Sequence, residues 1–239
     1  MREEFTRAAA TFAERTKGRF DHMSVVEFSK VGAGATVLEV GAGTGNFLNL
    51  FAGEDRRLIA LDLTEEMLRE AQSNFPDMDL VLADGKALPF ASRSIDLVTC
   101  AQMLHHVHDP LPLLKEMRRV ATDDAAVLVV DQVAPESYEQ TAFMNQLEAI
   151  RDPSHATSRS RSSMRVLLQS AGLDIVEESL ATSTQTMSNW MAPGEFPEER
   201  FPAVEEFIER FGAETGMNFR RENDEWAFDR HRMMFLCRR

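Results

Sequence analysis

The run Thr36-Val37-Leu38-Glu39-Val40 passes directly into Gly41-Ala42-Gly43-Thr44-Gly45-Asn46. A short, β-branched apolar run ending in clustered glycines reads as a strand whose carboxyl end turns sharply. Four similar runs follow: RLIALD, DLVLAD, IDLVTC and AVLVVDQV. Between them stand NFLNLFA, TEEMLREAQSNF and PLLKEMRRV, whose apolar residues recur at helical spacing. Later, GLDIVEESLATS and WAFDRHRMMFLCRR read as two more strands around a helical insertion. The alternation predicts an α/β fold: a Rossmann-like, doubly wound, mostly parallel seven-stranded sheet with an antiparallel edge strand and helices on both faces. Ligands on such sheets bind beyond the carboxyl ends of the strands.

The rest of the chain is organised around that sheet. The first ~30 residues read as two amphipathic helices, with Phe5, Ala9 and Phe12 on one face of the first. Thr64 is an expected N-cap, with Glu65 and Glu66 in the first turn and Pro76 just past the end. Residues 135–151 predict a long helix, and another starts near Ser163 and closes at Gly172. Residues 188–215 are rich in proline and acid and contain the helix-like AVEEFIERF. No repeat, low-complexity segment or clear linker appears. One domain, 1–239, is expected: an N-terminal helical lid at 1–31, a ligand-binding core at 36–131 and pocket-shaping elements within 132–215.

Charge narrows the partners. The chain carries 26 basic and 39 acidic residues, a net charge of −13. Such a surface repels phosphate backbones and anionic bilayers, so neither nucleic acid nor membrane is an expected partner. No apolar run is long enough to span a bilayer, and the N-terminus lacks the apolar core of a signal peptide. The basic run SRSRSSMR, with Arg159, Arg161 and Arg165, reads as a solvated loop before a helix. The two cysteines, Cys100 and Cys237, suit a cytoplasmic location and offer no zinc spacing.

The glycine loop departs from the dinucleotide pattern. Its spacing is G-x-G-x-G, and Asn46 stands where a G-x-G-x-x-G loop has its last glycine. Glu39 at the loop's mouth suits an ammonium or sulfonium better than a pyrophosphate. Asp62 ends the second strand, 21 residues after Gly41, where a carboxylate accepts hydrogen bonds from ribose hydroxyls. Asp84 follows the third strand and suits the exocyclic amine of adenine. A lone strand-end aspartate is usually a cap or turn residue. Three acids on successive strand ends, beside a glycine loop, point to an adenosine ligand without pyrophosphate.

VLEVGAGTGNF, ALDLTEEML, ADGKALPFASRSIDLVTC and LHHVHDPLPLLKEMRRV, in that order, resemble the class I S-adenosylmethionine-dependent methyltransferases, within them the type 11 small-molecule group. The likeness covers Thr36 to about Val130. Beyond it, MNQLEAIRDPSH and MRVLLQSAGL resemble an uncharacterised bacterial branch of that group, related to quinone-biosynthesis C-methyltransferases. AQMLHHVHD departs from the quinone enzymes. The resemblance implies S-adenosyl-L-methionine as cofactor. Glu39 and the backbone of Gly41, Gly43 and Gly45 would hold its methionine part, and Asp62 its ribose. Leu63 and Met67 would flank adenosine, Asp84 and the Gly85 N–H would read adenine, and Gln102 would lie beneath the cofactor facing the acceptor. Phe20 would close the site from the N-terminal side. Core packing is the alternative for Phe20, Leu63 and Met67.

Methyl transfer from a sulfonium is an in-line displacement in which orientation carries much of the rate. A base is needed only for a protonated acceptor. His105 and His106 follow the fourth strand, and His155 lies on a connection able to cover the acceptor, so these three are the candidate catalytic residues. Backbone-bonded or turn roles are their plainer alternatives, and a capping role is expected for His108 with Asp109. Arg151 and Asp152 would pair with each other or bind a substrate carboxylate. No metal is expected, since no thiol or acid stands at ligand spacing from the histidines. The expected activity is methylation of a small organic acceptor at O, N or C, by a monomer or homodimer. The alternatives are a non-catalytic adenosylmethionine-binding sensor and, disfavoured by Glu39 and Asn46, a dinucleotide oxidoreductase.

Overall fold

The computed structural model describes residues 12–14, 16–191 and 200–239. Strands β1 (Thr36–Val40), β2 (Arg57–Asp62), β3 (Asp79–Leu82), β4 (Ile95–Ala101) and β5 (Ala121–Ala134) form the parallel part of one sheet. Two long strands, β7 (Asp174–Thr186) and β9 (Glu225–Arg238), extend it in the order β3-β2-β1-β4-β5-β9-β7. The antiparallel strand is β9, inserted between β5 and β7, so that β7 forms the edge. Two short strands, β6 (Arg159–Ser160) and β8 (Arg220–Glu222), pair with β5 and β9.

Alternation along the strands feeds two apolar layers. Leu38 and Val40 of β1 face one layer, with Met233, Phe235 and Cys237 of β9. Helices α3 (Leu111–Val120) and α5 (Arg161–Ser170) cover this face with Leu113, Leu114, Met117, Met164 and Leu168. Val37, Leu128, Val130, Met234 and Leu236 face the other way. That layer is closed by Phe20, Phe47, Phe51, Val25 of α1 (Val25–Ser29) and Leu68 of α2 (Glu65–Asn74). A third cluster joins α4 (Tyr138–Arg151), α6 (Met187–Met191) and α7 (Phe201–Phe211) through Leu147, Trp190, Val204 and Ile208.

Several local expectations change. NFLNLFA makes only a 3-10 turn over Leu48–Phe51, so no long helix follows the glycine loop. Thr64 is the N-cap residue of α2, but its side chain makes no capping bond. The helix expected from Ser163 starts at Arg161, capped by the Ser160 side chain. SRSRSSMR is therefore not a solvated loop. Arg161 and Arg165 bind Glu178 on β7, and Arg159 donates to the carbonyls of Leu104 and Val107. The 135–151 helix begins at Tyr138, and His108 is exposed beside Asp109, whose carboxylate accepts from Leu111 N. Phe5 and Ala9 lie outside the described residues; Phe12 is half-buried. Among the described residues no helix is long and apolar enough to cross a membrane.

Candidate active site

The carboxyl ends of β1, β2 and β4 surround the glycine loop. Gly41, Gly43 and Gly45 all have positive φ, at 75°, 54° and 80°, which explains glycine there. A Cβ on Gly41 would fall 2.6 Å from Met103 Cγ, whereas one on Gly43 meets nothing within 4 Å. The loop is clipped to β2: Gly41 and Ala42 donate to Leu61 O, and Gly43 N donates to Asp62 Oδ2 at 2.8 Å. The other Asp62 oxygen accepts from Thr64 N at 2.9 Å. Burial raises the Asp62 carboxyl above its usual range, against these hydrogen bonds.

Glu39 is buried, and its Oε2 has no hydrogen-bond partner among the described residues. Burial pushes its carboxyl well above the ordinary value, and Asp62 adds to this against a backbone bond from Leu48. A buried carboxylate so poorly compensated is costly unless a cation approaches it. Around it, Leu63 is 47% exposed while Met67 is buried in the core beneath. Asp84 is exposed, with Oδ1 accepting from Lys86 N. Gly85 is wedged against Val40 and Leu113. Phe20 packs edge-on to Phe47, with ring centroids 4.9 Å apart, and is part of the core. Asn46 donates to Ala13 O and Thr16 Oγ1, each at 2.7 Å, and so ties the N-terminal segment to the loop.

Beyond β4 the three histidines come together. Gln102 takes a left-handed conformation (φ 52°), and its N donates to Val130 O. His105 and His106 ring centroids are 4.1 Å apart, and His105 and His155 are 5.9 Å apart. His105 Nδ1 lies 2.6 Å from Asp131 Oδ1. Burial, reinforced by His106 and Arg230, holds His105 well below its ordinary value. Burial pushes Asp131 up to about 6, although Gln132 N and His105 N both donate to it. His106 Nδ1 faces Ser154, and His155 Nε2 faces Asn145 Oδ1 at 2.8 Å. Burial lowers His155 too. Among the described residues no group of three or more His, Cys, Asp or Glu is arranged to hold a metal ion.

A charged layer adjoins the histidines that sequence reasoning largely missed. Glu148 binds Arg151 at 3.0 Å and lies 3.8 Å from Arg230, whose guanidinium also donates to Gln132 Oε1. Arg151 reaches Asp152 at 3.7 Å, so the expected Arg151–Asp152 pair forms, with Glu148 as the nearer partner. Arg232 donates to Ser183 Oγ at 3.1 Å. Arg230 and Arg232 were visible as alternate residues in WAFDRHRMMFLCRR, in phase with Phe228, Met234 and Leu236.

The methyltransferase domain family matches residues 38–129. The uncharacterized methyltransferase YcgJ of Bacillus subtilis is 31% identical over 172 residues, 69% of this chain and 67% of that one. Demethylmenaquinone methyltransferase of Renibacterium salmoninarum is 38% identical over 98 residues, 41% of each chain. A solved protein from Bacillus halodurans C-125 shares the fold with a TM-score of 0.83 at 24% identity, over 91% of this chain and 98% of that one. The chain belongs to this methyltransferase family. It is an S-adenosylmethionine-dependent methyltransferase.

Proposed function

We propose that the enzyme moves a methyl group to O, N or C of a small organic acceptor by in-line displacement, releasing S-adenosylhomocysteine. The observation that carries this reading is the buried, half-partnered carboxylate of Glu39 beside an open glycine loop. An ammonium is the partner that offsets such a carboxylate, and the cofactor's methionine part bears one. Glu39 and the backbone of Gly41, Gly43 and Gly45 hold that part in our reading. Asp62 takes the ribose, Leu63 lies against adenosine over Met67, and Asp84 with the Gly85 N–H reads adenine. Phe20 acts through Phe47, by fixing the N-terminal segment against the loop. When bound, the cofactor supplies a methyl group on a sulfonium that leaves as a neutral thioether.

The chain's own residues orient the acceptor and exclude water. Gln102 stands between the Glu39 side of the site and the histidines. His105 is the base for a protonated acceptor. Asp131, ionised at neutral pH, only accepts, so Nδ1 of neutral His105 carries the proton and Nε2 keeps its lone pair. His106, after β4, and His155, on the connection within 132–215 that shapes the acceptor pocket, wall the same space. Calorimetric titration with S-adenosylmethionine and S-adenosylhomocysteine, with NADH as control, tests the reading. Binding of both sulfur ligands without NADH supports it, and binding of neither overturns the assignment of the glycine loop.

A further inference from the structure

The face of the sheet that carries Glu39 also carries a row of cations. Alternation puts Glu39 in phase with Val37, Gln132 with Val130 and Leu128, and Arg230 and Arg232 with Met234 and Leu236. Those apolar neighbours belong to the layer that Phe20 helps to close. Strands β1, β4, β5 and β9 are consecutive neighbours. At ~4.8 Å per strand, the arginine pair stands ~14 Å across the sheet from Glu39, and the register Glu39↔Thr99, Thr99↔Leu128, Leu128↔Leu236 puts Arg232 four residues, ~13 Å, further toward the carboxyl edge. Gln102, His105 and His106 follow β4, which stands between β1 and β9 in that order.

Among the described residues the buried charges there do not balance. Glu148 and Asp152 are engaged by Arg151 and Arg230; with Asp131, hydrogen-bonded to neutral His105, they are three carboxylates facing four arginines, Arg19, Arg151, Arg230 and Arg232. Among the described residues, neither Arg232 nor Arg19 has a carboxylate within ion-pair distance. Arg232 is 3% exposed, and among the described residues its side chain donates only to the neutral Ser183 hydroxyl. The Nε atoms of Arg230 and Arg232 and the indole Nε1 of Trp190 are buried donors with no partner among the described residues. Arg19 belongs to the segment that Asn46 ties to the glycine loop. Burial, together with repulsion from Arg230, pushes both Arg19 and Arg232 down to about 9; Arg151 adds to this at Arg19, and Arg19 at Arg232, where Asp131 and Glu148 oppose it. A buried cation left as Arg232 is costs several kcal/mol unless an anion joins it, and a planar guanidinium fork matches an oxyanion.

We propose that the methyl acceptor carries an anionic oxygen group, a carboxylate or a phosphate monoester, held by Arg232 of β9 and Arg19 of the N-terminal segment with Arg230 beside them. This rests on the methyltransferase reading above and names its substrate class. The anion anchors one end of the acceptor over β9, and the reacting atom lies toward β4. Because Arg19 sits on the covering segment, acceptor binding also holds that segment closed.

The test is direct binding to the full chain saturated with S-adenosylhomocysteine. Benzoate, phenyl phosphate and inorganic phosphate are titrated beside the neutral benzamide and phenol. At least one anion is expected to bind at least tenfold more tightly than its neutral counterpart, and benzoate against phenyl phosphate separates the two oxyanions. Arg232→Gln should weaken that anion tenfold or more while leaving S-adenosylhomocysteine affinity within twofold. Arg19→Gln, on a half-buried residue, should do the same and keeps the test available if Arg232→Gln does not fold. Equal binding of the neutral compounds, no binding of any anion, or unchanged anion affinity in the variants overturns the proposal. Failure of S-adenosylhomocysteine to bind strikes the cofactor reading instead, and the same anion titrations of the free chain then decide the arginine site by the same criteria.

Discussion

His105 Nδ1 and Asp131 Oδ1 lie 2.6 Å apart in a fully buried setting, and Gln132 N donates to the same oxygen at 2.8 Å. The contact fixes which ring nitrogen carries the proton. Asp131→Asn should release that constraint, since an amide both donates and accepts. For an acceptor that must lose a proton, kcat should fall ~10²–10⁴-fold, the span of general-base catalysis. S-adenosylhomocysteine affinity should stay within twofold. Burial pushes Asp131 up to about 6, so the rate should rise with pH through that region and the limb should vanish in the variant. A rate profile unchanged by Asp131→Asn would show that His105 is no base.

In the proposed reading Asp62 has two tasks, and they separate experimentally. Its oxygens accept from Gly43 N at 2.8 Å and Thr64 N at 2.9 Å. Asp62→Ala should weaken S-adenosylmethionine more than tenfold and also cost ~1–3 kcal/mol of stability, because two loop donors lose their acceptor. Asp62→Asn keeps one acceptor oxygen and should recover part of the stability. Calorimetry and urea denaturation read the two effects. Unchanged affinity in Asp62→Ala would remove the ribose assignment.

Gly85 shows how closely the loop after β3 approaches its neighbours. A Cβ there would stand 2.7 Å from Val40 Cγ1 and 3.0 Å from Leu113 Cδ1. Gly85→Ala should destabilise the protein by ~1–3 kcal/mol through overpacking. It should also weaken adenosine more than S-methyl compounds, if the Gly85 N–H reads the base. Normal stability with normal adenosine affinity would deny both roles.

The glycine loop and its bond to Asp62 were legible because they are written locally. A strand, its glycines and the acid 21 residues later are set by short-range geometry, and β1 and β2 pair in register from Thr36↔Arg57 to Val40↔Leu61. The acceptor side is written across the chain. Arg230 meets Gln132 98 residues away, and Arg159 reaches Leu104 over 55. Nothing near SRSRSSMR announces that its first arginine turns inward while the next two meet Glu178 on β7. The alternation of Arg230 and Arg232 with apolar residues was a readable sign of charge on a buried face. Which carboxylate answers each arginine depends on the β5–β9 register, Gln132↔Arg232 among its pairs.

Glu148 should dominate the acid limb of stability contributed by the buried charges. Burial pushes its carboxyl up, but Arg151 and Arg230 outweigh this and hold it at about 2, below the ordinary 4.5. A depressed folded-state value gives stability that is present above 4.5 and lost as pH falls toward 2. At ~1.4 kcal/mol per unit, that is roughly 3 kcal/mol. Asp131 acts in the opposite sense. Held at about 6 rather than 3.8, it stabilises the fold as pH falls through that window, so it cannot cause the loss. Glu148→Gln should start ~3–5 kcal/mol less stable at pH 7, because two buried guanidinium groups lose their carboxylate. Between pH 4.5 and 2.5, however, its stability should fall less steeply than that of the wild type. Urea denaturation of both proteins at several pH values measures the two slopes. Parallel slopes would mean that Glu148 is not the group through which acid unfolds this site.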